Sequence, residues 1–284
     1  MSARGIKKIV TGHPTQDGAG VKLVRVLGNG TVDDFDPFLM LDAFDSTDPD
    51  DYIRGFPWHP HRGIETITYL VEGRIDHGDS LGNSGTIRSG ECQWMTAGSG
   101  IIHQEMPQPA ERMLGLQFWL NLPRAQKMTL PKYHGATREQ VPVAHERGAV
   151  IRLIAGDYHG QKGALTPEHI KAVFIDVSVE PETEWFFQAD AEATIYLYIL
   201  EGQAEFDDTS GQVSQKHAVL FTPGDEIRVK AGPEGVRFVL CQARPLHEPV
   251  AWGGPIVMNT REELNQAFEE LDNNTFIKHG AASS

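Results

Sequence analysis

Apolar and polar residues alternate with a period of two over short runs at residues 22–27, 65–71, 85–87, 93–96, 114–120 and 150–155, bounded by Gly, Asn and Asp. Such alternation sends successive side chains to opposite faces of a strand. Short strands separated by turn signals predict an all-β sandwich or barrel. Leu81-Gly82-Asn83-Ser84-Gly85 predicts a tight turn between two of these runs. Pro123, Pro131 and Pro142 punctuate a polar connection after which strand-like runs resume, and the expected domain boundary falls there. The period changes near the end: Leu264, Ala267, Phe268 and Leu271 fall at i, i+3, i+4 and i+7 of an amphipathic helix. Thr260 with Glu263 supplies a capping box for it. This helix is expected to pack its stripe on a barrel, and the tail from Asn273 is expected to fray.

The β pattern occurs twice. Tyr69-Leu70-Val71-Glu72-Gly73 is echoed by Tyr198-Ile199-Leu200-Glu201-Gly202 at an offset of 129, and Thr96-Ala97-Gly98-Ser99-Gly100-Ile101 by Thr222-Pro223-Gly224-Asp225-Glu226-Ile227 at an offset of 126. Two echoes in the same order imply a duplicated β unit. The expected division is 1–135 for a first barrel, 136–250 for a second, and 251–284 for a segment carrying the helix.

With 284 residues the chain is long enough for two such cores. Its net charge of −14, with no basic cluster, argues against direct nucleic-acid binding. The sequence has no apolar run of signal-peptide or membrane length, so the expected setting is cytoplasmic, without a membrane. Cys92 and Cys241 are the sole cysteines, which excludes a disulfide framework and a Cys-based zinc site, and Cys92 in a strand run is expected to be an inert buried thiol.

His59 and His61, then His103 and Glu105, form two i, i+2 pairs. In strands each pair points to one face, so two strands can converge four ligands on one point. Three neutral imidazoles and a carboxylate suit a first-row divalent ion, leaving positions open for chemistry in an octahedral ion. An HxH pair alone is weak, since chance places about half of one in a chain with this histidine content. Pro60 between the first two histidines points to a strand start or edge. Other motifs carry less. Gly78-Asp79-Ser80-Leu81 spells an esterase signature, but before a hairpin rather than on a strand-to-helix elbow. Asn29-Gly30-Thr31 and Asn273-Asn274-Thr275 match glycosylation sequons that a cytoplasmic chain does not use. The remaining histidines form no close pair and are expected at the surface or hydrogen-bonded.

Gly55, His59-Pro60-His61, Glu65 and Gly73, followed by Gly90, Gly98 and His103, resemble the two signature motifs of the cupins, with Thr96 where the second motif has proline. The finer resemblance is to the pirins, through FDPFLMLDAFD at 35–45, FPWHPHRGIETITYLVEG at 56–73, HGDSLGNSGTIRSGECQWMTAGSGIIHQE at 77–105, FWLNLP at 118–123 and MNTREELNQAFEEL at 258–271. It implies a bicupin: two small antiparallel jelly-roll β-barrels and a short C-terminal helix. It also implies one divalent metal ion per chain held by His59, His61, His103 and Glu105. Fe(II) is the first candidate and Mn, Ni, Co, Cu or Zn the others. Glu65 holds the carboxylate position that binds metal in many other cupins; the family leaves it a supporting role. Offsets of 129 and 126 carry the ligand positions to Gln188, Asp190, Val229 and Ala231, so the second copy has lost the set and is expected to shield the first.

Resemblance to bacterial pirins implies a quercetin 2,3-dioxygenase: a flavonol-like aromatic substrate cleaved by O2 with release of CO, Glu105 acting as general base. Phe35, Phe38, Phe56 and Trp58 are the expected aromatic mouth. Other pirins act through protein partners, so the same ligands also fit a metal- or redox-sensing regulator acting on a transcription factor or metabolic enzyme.

Overall fold

The structure is a computed structural model that describes residues 2–208 and 211–279. It is mostly β, with helices at Val32–Phe35 and Arg261–Asp272. The chain forms two compact units of interleaved sequence. One comprises His13–Val32, Phe38–Arg138 and the residues from Leu246 onward; the other comprises the residues up to Gly12, Asp33–Pro37 and Glu139–Pro245. Division at 135 and 250 therefore does not follow the packing. Ile6–Thr11 pairs antiparallel with His217–Phe221 of the second unit, and the segment after residue 250 packs in the first.

In the first unit a seven-stranded antiparallel sheet runs in the order Lys132–Ala136, Glu91–Thr96, Ile64–Glu72, Met113–Asn121, Phe38–Ser46, Val21–Leu27, His13–Asp17. A four-stranded sheet runs Phe56–His61, Ile101–Pro107, Arg74–Asp79, Ser84–Arg88. Apolar residues join them: Leu23, Phe44, Leu70 and Met113 from the larger sheet pack with Ile75 and Ile87 from the smaller. Two sheets that bury one face each against the other are what the period-two pattern demands. No closed barrel is found among the described residues. Pro60 lies in Phe56–His61, which is an edge strand of the smaller sheet, where a missing N–H leaves no gap in a ladder.

The C-terminal helix starts at the Thr260/Glu263 capping box and buries Leu264 and Ala267. It packs on the Ala251–Gly253 and Ile256–Met258 hairpin rather than on one of the large sheets. The tail does not fray where it is described. Phe276 is buried, its carbonyl accepts from Arg62 Nη2 at 2.8 Å, and its ring lies 4.2 Å from the guanidinium carbon of Arg62. Residues 280–284 of the expected tail lie outside the described residues.

The second unit is a nine-stranded sheet dominated by Thr194–Glu205 and the 18-residue strand Glu226–Ala243. Gly73, which follows Ile64–Glu72, and its repeat equivalent Gly202, which lies within Thr194–Glu205 where the register slips, both have positive φ (116° and 76°), which L side chains rarely adopt. No helix is long and apolar enough to cross a membrane among the described residues.

Candidate metal centre

His59 and His61 point to one face of their edge strand, and the register sets His103 opposite His59 on Ile101–Pro107. One ring nitrogen from each of the three lies within 4.8 Å of the others. The tautomers follow from the outer bonds. His59 Nδ1–H donates to Pro57 O at 2.8 Å, and His61 Nδ1–H donates to Pro255 O at 3.1 Å. Both Nε2 atoms are then bare lone pairs, yet they face each other at 3.1 Å. His103 Nε2 is buried without a hydrogen-bond partner. Protonation is a poor remedy, because burial pulls His59 down, His61 to about 3 and His103 well below the ordinary histidine range. Two lone pairs facing each other beside an unpartnered third imidazole nitrogen fit a cation. Two nitrogens at ~2.1 Å from one ion and at right angles about it are ~3.0 Å apart, close to the observed gap.

Glu105 is not a member of the 4.8 Å group. The register slips by one between His103 and Glu105, so Glu105 faces Phe56 rather than continuing the histidine row. Its carboxylate lines the same cavity as His59 and His61, 2.7 Å from the Thr68 hydroxyl. Thr68 Oγ1 is also 2.7 Å from the Gln117 side-chain amide. One hydroxyl proton serves one acceptor, so Thr68 donates to Glu105 when Gln117 presents its NH2 to the hydroxyl. Burial raises the Glu105 carboxyl to about 6, opposed by the Thr68 bond.

Glu65 is elsewhere. Thr68 reaches Glu105, so the even positions of Ile64–Glu72 face the site and Glu65 faces the other side of the sheet, where Thr96 Oγ1 donates to it at 2.7 Å. Thr96, which takes the place of the second motif's proline, is thus the residue that occupies the Glu65 carboxylate. Gly63, after the HPHR run, has φ +77°, and a Cβ there would run into the Val257 carbonyl.

The histidines open on a cavity of about 630 Å³. Its aromatic wall is Phe44, Phe56, Trp58, Trp119 and Trp252. Trp58 is 55% exposed and so forms part of the mouth. Phe35 and Phe38, expected beside them, are fully buried and line no part of it. Phe35 packs edge-on against Tyr196 in the second unit. At Phe38 the register slips relative to Met40, which breaks the alternation carrying Met40, Asp42 and Phe44 into the cavity. Trp252 and Pro255 come from the C-terminal hairpin, and no local motif connected them to the histidines.

The second unit carries a correction to the repeat. Its Glu184–Gln188 strand pairs with Glu226–Ala243 so that Trp185 faces Val229 and Phe187 faces Ile227. These pairs lie 126 positions beyond His59/His103 and His61/Ile101. The offset here is 126 throughout, and the equivalents of the first pair of histidines are Trp185 and Phe187, not Gln188 and Asp190. Trp185, Phe187, Val229 and Ala231 are all buried members of one apolar core. Where the first unit has its histidines, the second has packing.

The other motifs stay structural. Ser80 closes the hairpin, its N–H donating to Ile102 O and its Oγ accepting from Ile102 N. Cys92 and Cys241 are free, buried thiols whose ionisation burial suppresses.

The family described as Pirin matches residues 20–120, and the Pirin C-terminal cupin domain matches residues 174–277. A Pirin-like protein of Caulobacter vibrioides is 42% identical over 280 residues, covering 97% of this chain and 100% of the relative. A protein of Pseudomonas aeruginosa, named provisionally as a quercetin 2,3-dioxygenase, is 39% identical, covering 94% of this chain and 96% of its own. The crystal structure of quercetin 2,3-dioxygenase from Acinetobacter baumannii superposes with a TM-score of 0.89 at 30% identity, covering 97% of this chain and 99% of the other. With family matches in both halves and relatives of full length, the chain belongs to the pirin family.

Proposed function

We propose that the protein is a metal-dependent dioxygenase that cleaves a flavonol such as quercetin with O2, one ring carbon leaving as CO and a depside remaining. The observation that carries this reading is the meeting of three imidazoles, two with bare Nε2 atoms and the third with a buried, unpartnered Nε2, with a carboxyl raised to about 6 beside an aromatic-lined cavity. The names of the Pseudomonas and Acinetobacter relatives support it.

His59, His61 and His103 would hold the ion, with Fe(II) as first candidate and Mn, Ni, Co, Cu or Zn as alternatives, and Glu105 as fourth ligand or neighbouring base. A bound divalent ion supplies a Lewis acid that favours an ionised hydroxyl, and a centre for activating oxygen. Pro57 O and Pro255 O fix the histidine tautomers so that Nε2 stays available. Glu105 takes the proton of the flavonol 3-hydroxyl, a task suited to a carboxyl raised to about 6. Thr68 stabilises the carboxylate form, and on proton transfer Glu105 changes from acceptor to donor. The aromatic wall holds a flat ring system and keeps water from it. We assign the two halves to two cupin units, the second without ligands, in a cytoplasmic protein.

The test is anaerobic reconstitution with each ion separately, followed by admission of O2 and measurement of quercetin loss, with His61→Ala as control. Metal-dependent loss that His61→Ala abolishes supports the reading. No loss with any ion, together with metal-dependent capture of a protein partner, would favour the regulator.

A further inference from the structure

The cavity-facing side of the seven-stranded sheet is apolar in most rows, but one row crosses it with polar side chains. By register Thr68 lies opposite Gln117, Gln117 opposite Asp42, and Asp42 opposite Arg25. The flanking pairs on the same two strands are apolar: Trp119 opposite Met40 on one side, Gly115 opposite Phe44 on the other. Polar groups at such positions cost free energy unless they are satisfied.

Much of the row satisfies itself. Thr68 joins Gln117 to Glu105. Arg25 grips Asp42 in a fork, Nε to Oδ1 at 2.9 Å and Nη2 to Oδ2 at 2.7 Å, and Nη2 also reaches Asp17 Oδ2 at 2.6 Å. What is left over is informative. Arg25 Nη1 has no hydrogen-bond partner among the described residues, and Asp42, only 3% exposed, meets a single cation. Arg25, Asp42, Asp17 and Gln117 line the same cavity as His59, His61 and Glu105. Three strand spacings of ~4.8 Å separate Arg25 from Thr68, the partner of Glu105, which makes the row roughly 14 Å long. That is the scale of a planar molecule of three linked rings.

We propose that the Arg25–Asp42 pair sets the specificity of the cavity by receiving the hydroxyl groups on the pendant ring of a flavonol whose other polar edge lies at the histidines. The inference rests on the flavonol reading above. Asp42 accepts from a phenolic O–H, and Arg25 Nη1 donates to a phenolic oxygen. Their mutual fork holds both in place before the ligand arrives, so little side-chain order is lost on binding. The aromatic wall grips any flat ring, whereas the remaining lone pairs of Asp42 and the Arg25 Nη1 donors are met only by a ring that carries hydroxyls.

The test compares quercetin with galangin, the same flavonol without the two hydroxyls of its pendant ring. Binding is measured without oxygen on metal-loaded protein, by quenching of tryptophan fluorescence. Wild type is expected to prefer quercetin by tenfold or more. Asp42→Asn is expected to cut that preference below threefold, chiefly by weakening quercetin. Removing one partner strands the other's charge and endangers the fold, so Arg25→Met/Asp42→Leu, which removes both charges, is measured beside it with the same expected loss. A purely structural ion pair would alter the melting temperature and not the ratio of the two affinities. Equal binding of the two flavonols by wild type, or a preference retained in the double variant, overturns the assignment. Failure of wild type to bind either flavonol overturns the flavonol reading beneath it.

Discussion

Lys127 offers a demanding test of how the first unit is held together around its histidines. The side chain is 2% exposed, and its ammonium donates to Gly63 O at 2.8 Å, to Val257 O at 2.9 Å and to Asn121 Oδ1. Three protons meet three acceptors, tying the turn after His61 to the hairpin that supplies Pro255. Lys127→Met keeps most of the stem and removes every donor. Two of the stranded acceptors are backbone carbonyls that cannot be mutated away, so the usual tolerance for replacing a buried charge by an apolar group does not apply. At ~1–3 kcal/mol per unsatisfied buried group, less partial relaxation, the expected loss is ~3–5 kcal/mol. For a chain of this size that lowers the midpoint of the first unit's transition by roughly 6–20 °C. Calorimetry at pH 6 reads it, with the transition identified by its response to added metal. A shift under 2 °C would refute the reasoning. The pH dependence is a second check. Burial pulls Lys127 from its ordinary 10.5 down to about 7. Between those values the unfolded state holds more protons, so wild-type stability rises with pH across that window, by at most ~5 kcal/mol and less because the three acceptors favour the ammonium. The Met variant lacks this slope.

Three further outcomes follow from the same geometry. In chelator-treated protein, Glu105→Gln should raise stability at pH 7 by up to ~2 kcal/mol. The carboxyl's folded value of about 6 lies above its ordinary 4.5, so its contribution is full below 4.5 and lost as pH rises through 6; melts at pH 4.5 and 7 should show the gain at pH 7 only. Gly63→Ala should cost more than ~3 kcal/mol, read as a lowered urea midpoint, because it combines a positive φ with a collision at Val257 O. His61→Ala should reduce bound metal from one per chain to none by elemental analysis. A remaining equivalent would show that the ion is held without His61.

The legibility of the molecule followed the range of the interactions involved. Alternation and turn residues placed the strands, Pro60 marked an edge strand, and the Thr260/Glu263 box marked the helix start, because each is a local preference of backbone or side chain. The i, i+2 spacing brought His59, His61 and His103 together, since a strand puts such pairs on one face. Long-range packing was hidden. The pairing of Ile6–Thr11 with the second unit joins segments some 210 positions apart, and Pro255 meets His61 across 194. Register slips were hidden too: they turn Phe38 away from the cavity and set Glu105 off the histidine row. The equivalence of His59 and His61 to Trp185 and Phe187 emerges only from cross-strand pairing. Asp42 left a trace, as the one charge within the apolar run 38–44, but its meaning depends on the cross-strand partner Arg25.

The proposed reaction, cleavage of a flavonol ring at the histidine site and its aromatic cavity, has a gaseous product. The most direct measurement is the yield of CO per flavonol consumed, taken on metal-reconstituted protein after oxygen is admitted, with His61→Ala in parallel. One CO for each flavonol lost is expected, with neither change in the variant. Flavonol loss without CO, or equal CO from the variant, would contradict it.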